Sequence, residues 1–286
     1  MGKVSFIKMH GLGNDFVIVE NSALAKLNNL KDFVIKISDR RIGIGCDQFI
    51  TYSKQDVKSN EVLMNIFNQD GSKAKACGNA SRCLSRLIFD KYGISAIDIK
   101  IGEKIVPAQY HDPKNITVNM GIANFAANWM PKNEELWQLA EKYTLEPKEL
   151  ICVDIGNPHL VIFSKLGDKD KKLIGKKLQK NPLFANNNGA SGINVNFAEI
   201  ASFYSKENTA NVINLKVWER GTGFTMACGS GASATFAASN KLGFTTDEGT
   251  VRFEIGSLKM KKNGNNEILM TGPAEYVFSG EYHYDE

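Results

Sequence analysis

Two cysteines in this chain stand in matching surroundings. Residues 64–79 read MNIFNQDGSKAKACGN and residues 215–230 read LKVWERGTGFTMACGS, which align without a gap at an offset of 151. In each copy a strand-like start and an aromatic, Phe67 or Trp218, lead through a glycine turn to Ala-Cys-Gly. A small-residue stretch of helical character follows, and it ends at a glycine suited to a helix C-cap. Cys77 and Cys228 therefore close a loop and open a helix. Unpaired backbone N–H groups and the helix dipole favour negative charge at such a junction. A thiol there is expected to have a lowered pKa and to be partly thiolate. The N–H groups of Gly78, Asn79, Gly229 and Ser230 are suited to holding a carboxylate. If two similar halves face one cleft, one thiolate can remove an α-proton while the other thiol returns one to the opposite face. The amides would offset the charge that spreads onto the carboxylate, so no cofactor is needed as an electron sink. Inversion at an α-carbon is the chemistry this pair suggests. A redox pair competes with it, and that reading requires the two sulfurs to meet directly. Cys46, Cys83 and Cys152 have no counterpart in the other half and read as small buried packing residues.

The repeat extends beyond the cysteines. GNDFVIV, from Gly13, matches GNPHLVI, from Gly156, at an offset of 143. GCDQFI, from Gly45, more weakly matches INVNFAEI, from Ile193, with Gln48 set against Asn196 at an offset of 148. The order is kept, which points to duplication. Short β-type runs such as VSFIKM, FVIVE, FITYS, ITVNM, LVIF and TVRFEI make each half rich in strands. The expected fold is α/β (α+β), in two pseudo-symmetric domains. The first takes residues 1–124 with 274–286 and carries Cys77. The second takes residues 125–273 and carries Cys228. The segment AEYVFSGEYHY is expected to return and complete the first half.

The 286 residues, 43% hydrophobic and 23% charged, suffice for two ordinary cores. The net charge of +4 is mild, and the lysine-rich stretch 165–180 carries Leu173, Ile174 and Leu178 at helical spacing with no interleaved aromatics. It reads as a solvated surface helix, so no nucleic-acid partner is expected. The first residues lack the apolar run of a signal peptide, and no run is long enough for a membrane helix. Five cysteines with no C-x-x-C pair argue against a metal site and for free thiols in a reducing cytoplasm. CGSGA is not the G-x-S-x-G elbow, and no base can be paired with Ser230 from sequence, which argues against a hydrolase. Neither GLGNDF nor GTGFTMACG fits G-x-G-x-x-G.

HGLGNDF, NQDGSKAKACGNASRC, GNPH, GINVNF and ERGTGFTMACGSGA, in that order along essentially the whole chain, resemble the diaminopimelate epimerase family. The resemblance implies two α/β domains, each a β-sheet wrapped around a central helix. It implies conversion of LL-2,6-diaminopimelate to the meso form, without cofactor or metal, in lysine and peptidoglycan precursor synthesis. Residue by residue, Cys77 and Cys228 match the catalytic cysteines, and Gly78, Asn79, Gly229 and Ser230 match the positions that bind the reacting carboxylate. Asn14, Asn68, Asn157, Asn194, Glu219 and Arg220 match residues that hold the amino groups and the distal carboxylate. Gln48 and His159 match positions lining the same site, and a homodimer is implied. The chain departs from the family at Phe224, where Glu is usual, and at Ala80 and Ser81, where Gly-Ala is usual. Relatives that use two cysteines on other substrates, such as histidine or proline racemases, are the nearest competing readings.

Overall fold

A computed structural model describes residues 2–54, 56, 59–74, 77–146, 149–184, 192–201 and 212–284. The first elements are β1 (Gly2–Gly11), β2 (Asn14–Glu20), α1 (Leu30–Ser38), β3 (Gln48–Ser53), β4 (Glu61–Asn68) and β5 (Lys73–Ala74). Next come α2 (Gly78–Tyr92), β6 (Ala96–Ile101), β7 (Lys104–Asp112), β8 (Asn115–Ile122), α3 (Asn133–Lys142), β9 (Leu150–Asp154) and β10 (Pro158–Phe163). There follow α4 (Asp168–Leu178), β11 (Asn194–Ile200), β12 (Val212–Glu219), β13 (Gly223–Phe224) and α5 (Gly229–Lys241). The chain ends with β14 (Glu248–Phe253), β15 (Gly256–Lys262), β16 (Glu267–Gly272) and β17 (Glu275–Tyr284). It divides into one unit of residues 1–119 with 271–286 and a second of residues 120–270. These divisions fall a few residues before those expected at 124 and 273.

In the first unit β17 pairs antiparallel with β1, and β1 antiparallel with β2. The sheet continues with β2 parallel to β3, β3 antiparallel to β4, β4 parallel to β6, and β6 and β7 antiparallel to their successors. Helix α2 packs on β1, β6 and β7 and is buried from Gly78 to Ser85, so it is the core of the unit rather than a cover. Alternation along β2 and β3 sends Val17, Val19 and Phe49 into a cluster with Phe33, Val34 and Ile37 of α1. Their neighbours Phe16, Ile18 and Ile50 then point to the opposite face. Gly93 ends α2 at φ 72°, a left-handed cap that favours glycine. Ala80 is helical within α2, so the missing glycine there strains nothing.

The second unit repeats the order: β9 antiparallel to β10, β10 parallel to β11, β11 antiparallel to β12, β12 parallel to β14, β14 antiparallel to β15. Helix α5, almost wholly buried, is its central helix. Leu160, Ile162 and Val195 pack with Ile174 and Leu178 of α4, as their counterparts Val17, Val19 and Phe49 do with α1, and Phe197 joins them. In the lysine-rich helix Ile174 and Leu178 are buried as expected, but Leu173 is exposed. Its place on the inward face goes to Lys171, whose ammonium bonds Glu199 at 2.8 Å. A Cβ on Gly175 would lie 2.7 Å from Trp218 Cγ, so glycine lets α4 lie directly on that indole. Phe224 sits edge-on to Trp218, with ring centroids 5.0 Å apart, and joins this apolar cluster.

The register corrects one alignment. Gln48 lies beside Phe16, and Asn194 lies beside His159, the residue that matches Phe16 in the repeat. Gln48 therefore corresponds to Asn194, and Asn196 corresponds to Ile50. The connections before β3 and β11 differ in length, and a gapless comparison of two short, dissimilar strands could not register the difference.

Candidate active site

In the first unit Cys77 is the residue preceding α2, with extended backbone, and its Sγ accepts from the Ala80 N–H at 3.5 Å. The Asn14 Oδ1, at the start of β2, accepts from Cys77 Sγ at 3.7 Å and from Asn79 Nδ2 at 3.1 Å. Asn14 Nδ2 donates to Asp47 Oδ2 at 2.9 Å, which fixes the carbonyl end of the amide toward the thiol. Gln48 Nε2 donates to Asn68 Oδ1 at 3.1 Å where β3 and β4 run side by side, and Asn68 donates on to Ser72. Gly78 and Asn79 form the first turn of α2, whose N–H groups have no partner within the helix. The Asn79 Oδ1 is buried without a partner among the described residues.

The second unit builds the same core differently. Cys228 precedes α5 in the same extended conformation, and its Sγ accepts from the Gly231 N–H at 3.4 Å. Ser230 Oγ lies 3.5 Å from that sulfur, 3.1 Å from His159 Nε2, and accepts from Asn157 Nδ2 at 3.3 Å. A base does stand beside Ser230, which the sequence could not reveal because 71 residues separate the two. Asn194 donates to the Pro158 carbonyl at 3.1 Å and accepts from the Arg220 N–H at 2.9 Å. The exposed Arg220 guanidinium donates to the Gly192 carbonyl at 3.4 Å. Glu219 accepts from the Thr225 hydroxyl. Each unit thus carries a cysteine at a helix start with an asparagine beside it or one residue away.

The lowered pKa expected at a helix start does not hold at Cys228. Burial, and after it the nearby Glu219 carboxylate, push the Cys228 thiol well above its ordinary 9.0 despite the bonds from Ser230 and Gly231. At neutral pH it is a thiol. Burial also pushes His159 down to about 4, so the ring is neutral. Cys77 is half-buried, whereas Cys46, Cys83, Cys152 and Cys228 are buried. Iodoacetamide at pH 8 should therefore label Cys77 at least about tenfold faster than any other thiol. Peptide mapping of the singly alkylated protein checks this, and primary labelling at Cys228 would contradict it.

Sequence reasoning missed two contributors. Asp47, one residue before Gln48, orients Asn14, and the Asp in GCDQF was its only trace. Asn196 bonds His159 Nδ1 at 3.0 Å, and the sequence marks it only as a repeat partner. Among the described residues no cluster of His, Cys, Asp or Glu is arranged to hold a metal, and no helix is long and apolar enough to cross a membrane.

Known proteins resemble this chain along its length. The family model described as diaminopimelate epimerase matches residues 6–126 and 151–277. Proteins named diaminopimelate epimerase from Rickettsia felis and Rickettsia prowazekii are each 48% identical to it over 286 residues, covering all of both chains. Among solved structures, a predicted epimerase from Pseudomonas aeruginosa shares the fold with a TM-score of 0.67 at 12% identity, covering 99% of this chain and 100% of that one. A hydroxyproline epimerase from Agrobacterium vitis does so with a TM-score of 0.61 at 11% identity, covering 98% of this chain and 92% of that one. With two matched segments that each hold one Ala-Cys-Gly junction, the chain belongs to the diaminopimelate epimerase family.

Proposed function

We propose that this protein interconverts LL- and meso-diaminopimelate, with Cys77 and Cys228 as its two acid–base groups. One cysteine as thiolate removes the α-proton and the other as thiol returns one. The observation that carries this reading is the sulfur set twice at the start of a buried central helix, accepting from the N–H three residues on. The amides of Gly78, Asn79, Gly229 and Ser230 are suited to the reacting carboxylate, where preorganised donors act most strongly as charge develops. Arg220 offers a guanidinium for the distal carboxylate, and Asn194 holds its backbone in place. Asn14, Asn68, Asn157 and Glu219 offer oxygens to the ammonium groups, Gln48 and His159 line the site, and the unpaired Asn79 Oδ1 is one more acceptor. The chemistry asks for no cofactor, since thiol groups of suitable protonation supply both proton transfers.

Five free thiols fit a reducing cytoplasm. A homodimer is supported by β17, which pairs with β1 and exposes Tyr276, Val277 and Phe278 in succession. Incubation with LL-diaminopimelate in heavy water tests the central reading. Meso product carrying solvent deuterium at one α-carbon is the expected result. A folded, fully reduced protein that yields neither meso product nor exchange would remove the substrate assignment.

A further inference from the structure

The two units differ most where they should be most alike. In the first unit Phe16, Ile50 and Leu84 are all fully buried and apolar. Strand register and the cysteine repeat set His159, Asn196 and Thr235 at the same three places in the second unit, and these too are fully buried. The fold does not require polar groups there, because the first unit does without them. Burying them costs free energy unless every group is paired.

The hydrogen bonds of Asn196 have only one consistent direction. Asn196 Nδ2 donates to the Gly231 carbonyl at 2.9 Å and to Thr235 Oγ1 at 3.0 Å. A backbone carbonyl only accepts, so the amide cannot be turned round, and Asn196 Oδ1 faces His159 Nδ1 at 3.0 Å. Nδ1 must therefore carry the ring's proton. In the neutral ring Nε2 is then bare and accepts from the Ser230 hydroxyl at 3.1 Å. With its proton turned to the ring, the Ser230 oxygen is free to accept from the Cys228 S–H, 3.5 Å away.

We propose that Asn196 is a positioning residue that locks His159 in its Nδ1–H form, so that Ser230 and His159 form a relay for the Cys228 proton. The proposal rests on the assignment of Cys228 as an acid–base group. In the forward step the S–H bond breaks as the proton passes to Ser230 Oγ, and the Ser230 proton passes to His159 Nε2. A thiolate and an imidazolium result, with no change in net charge, and the reverse step restores them. The Asn157 Oδ1, 3.2 Å from Nε2, gains a donor when the ring is protonated, as Asn196 Oδ1 has throughout.

The test reads the tautomer and the turnover separately, in full-length protein labelled with 15N-histidine. His159 is assigned by comparison with His159→Gln. Wild type should show Nδ1 protonated and Nε2 bare at neutral pH. Asn196→Ile, which installs the first unit's residue, should shift the ring toward Nε2–H and lower kcat about 100-fold, the scale of one lost proton-transfer step. KM should stay within about twofold, since Asn196 is fully buried behind the ring. Asn196→Asp keeps an acceptor for Nδ1–H, so it should keep the wild-type tautomer and a kcat at least about tenfold above that of Asn196→Ile. If Asn196→Ile does not fold, Asn196→Ala, which removes the Oδ1 acceptor without adding volume, decides the matter by the same shift of tautomer and fall in kcat. Nε2–H in wild type would overturn the proposal, as would an unchanged kcat in folded Asn196→Ile or a fall in kcat with the tautomer unmoved. Failure of wild type to turn over diaminopimelate would instead overturn the functional reading, while the tautomer lock is still decided by the spectrum.

Discussion

Replacing Cys77 or Cys228 by alanine should each lower kcat for epimerisation by about 10³ to 10⁴, the loss expected when one of two essential proton-transfer groups is removed. KM should change only a few-fold, because the proposed carboxylate donors are backbone amides that the substitution leaves in place. The two variants should nevertheless differ. Cys228 holds its proton well above the ordinary thiol range, because burial and the Glu219 carboxylate disfavour its thiolate. Cys77, by contrast, is only half-buried. In heavy water Cys228→Ala should therefore still exchange the α-proton of one stereoisomer, taken and returned on a single face, without forming the other. Cys77→Ala keeps only the Cys228 thiol, whose ionisation burial and Glu219 oppose, and should exchange neither isomer at a comparable rate. Equal exchange by both variants would show that the resting states are not so divided. The raised Cys228 pKa also has a consequence for stability. A thiol whose folded pKa lies above its unfolded value favours folding fully below about pH 9, and that contribution is lost as pH rises further.

The proposed chemistry of this chain was legible because duplication writes it twice. Ala-Cys-Gly at a constant offset located both helix starts, and the alternating runs beside them gave the strands that hold Asn14, Asn68 and Glu219. Asn14, Asn68, Asn157, Asn194, Glu219 and Arg220 are marked as site candidates by resemblance rather than by any local signal, since an asparagine at a strand end also reads as a turn residue. What stayed hidden was whatever depends on register and depth. The pairing of Gln48 with Asn194 is fixed by which residues lie abreast in parallel strands, and neighbouring connections of unequal length conceal it. A buried polar residue such as Asn196 looks like any strand asparagine until the opposite helix supplies Gly231 and Thr235. Local sequence also misjudged Cys228. The helix start it sees favours thiolate, whereas burial, which it cannot see, outweighs that effect. Sequence pattern alone likewise gave no reason to bury Lys8, whose partner lies across a hairpin.

Lys8 and Asp15 lead to the second large expectation, which concerns stability. The Lys8 ammonium is buried, bonding the Asp15 carboxylate and the Gly45 carbonyl. Arg40 grips the same carboxylate with both nitrogens, at 3.0 and 2.7 Å, and also reaches Asp47 at 2.7 Å. Asp15 Oδ1 accepts from the Asp47 N–H, and Asp47 Oδ2 accepts from the Asp15 N–H, which ties the start of β2 to the start of β3. Asp15→Ala leaves a buried lysine without its counter-charge, and should cost about 3 kcal/mol. Adding Lys8→Met should recover part of that loss, because the desolvated charge is then gone as well. Burial acts to raise the Asp15 pKa, but the bonds and charges of Arg40 and Lys8 outweigh it and hold the carboxyl well below its ordinary 3.8. A carboxyl lowered in the folded state adds stability that is fully present above its unfolded pKa and is lost as pH falls through the folded one. Wild type should therefore lose stability progressively below about pH 4, and Asp15→Ala should lose less of its remaining stability over that interval. Urea unfolding of the two proteins at pH 7 and pH 3 measures both effects. Parallel losses between the two pH values would mean that other carboxylates govern the acid limb. Because Asp47 also orients Asn14 beside Cys77, activity in Asp15→Ala should fall even where the protein is fully folded. The charged cluster then holds the first half-site in shape as well as the strands that carry it.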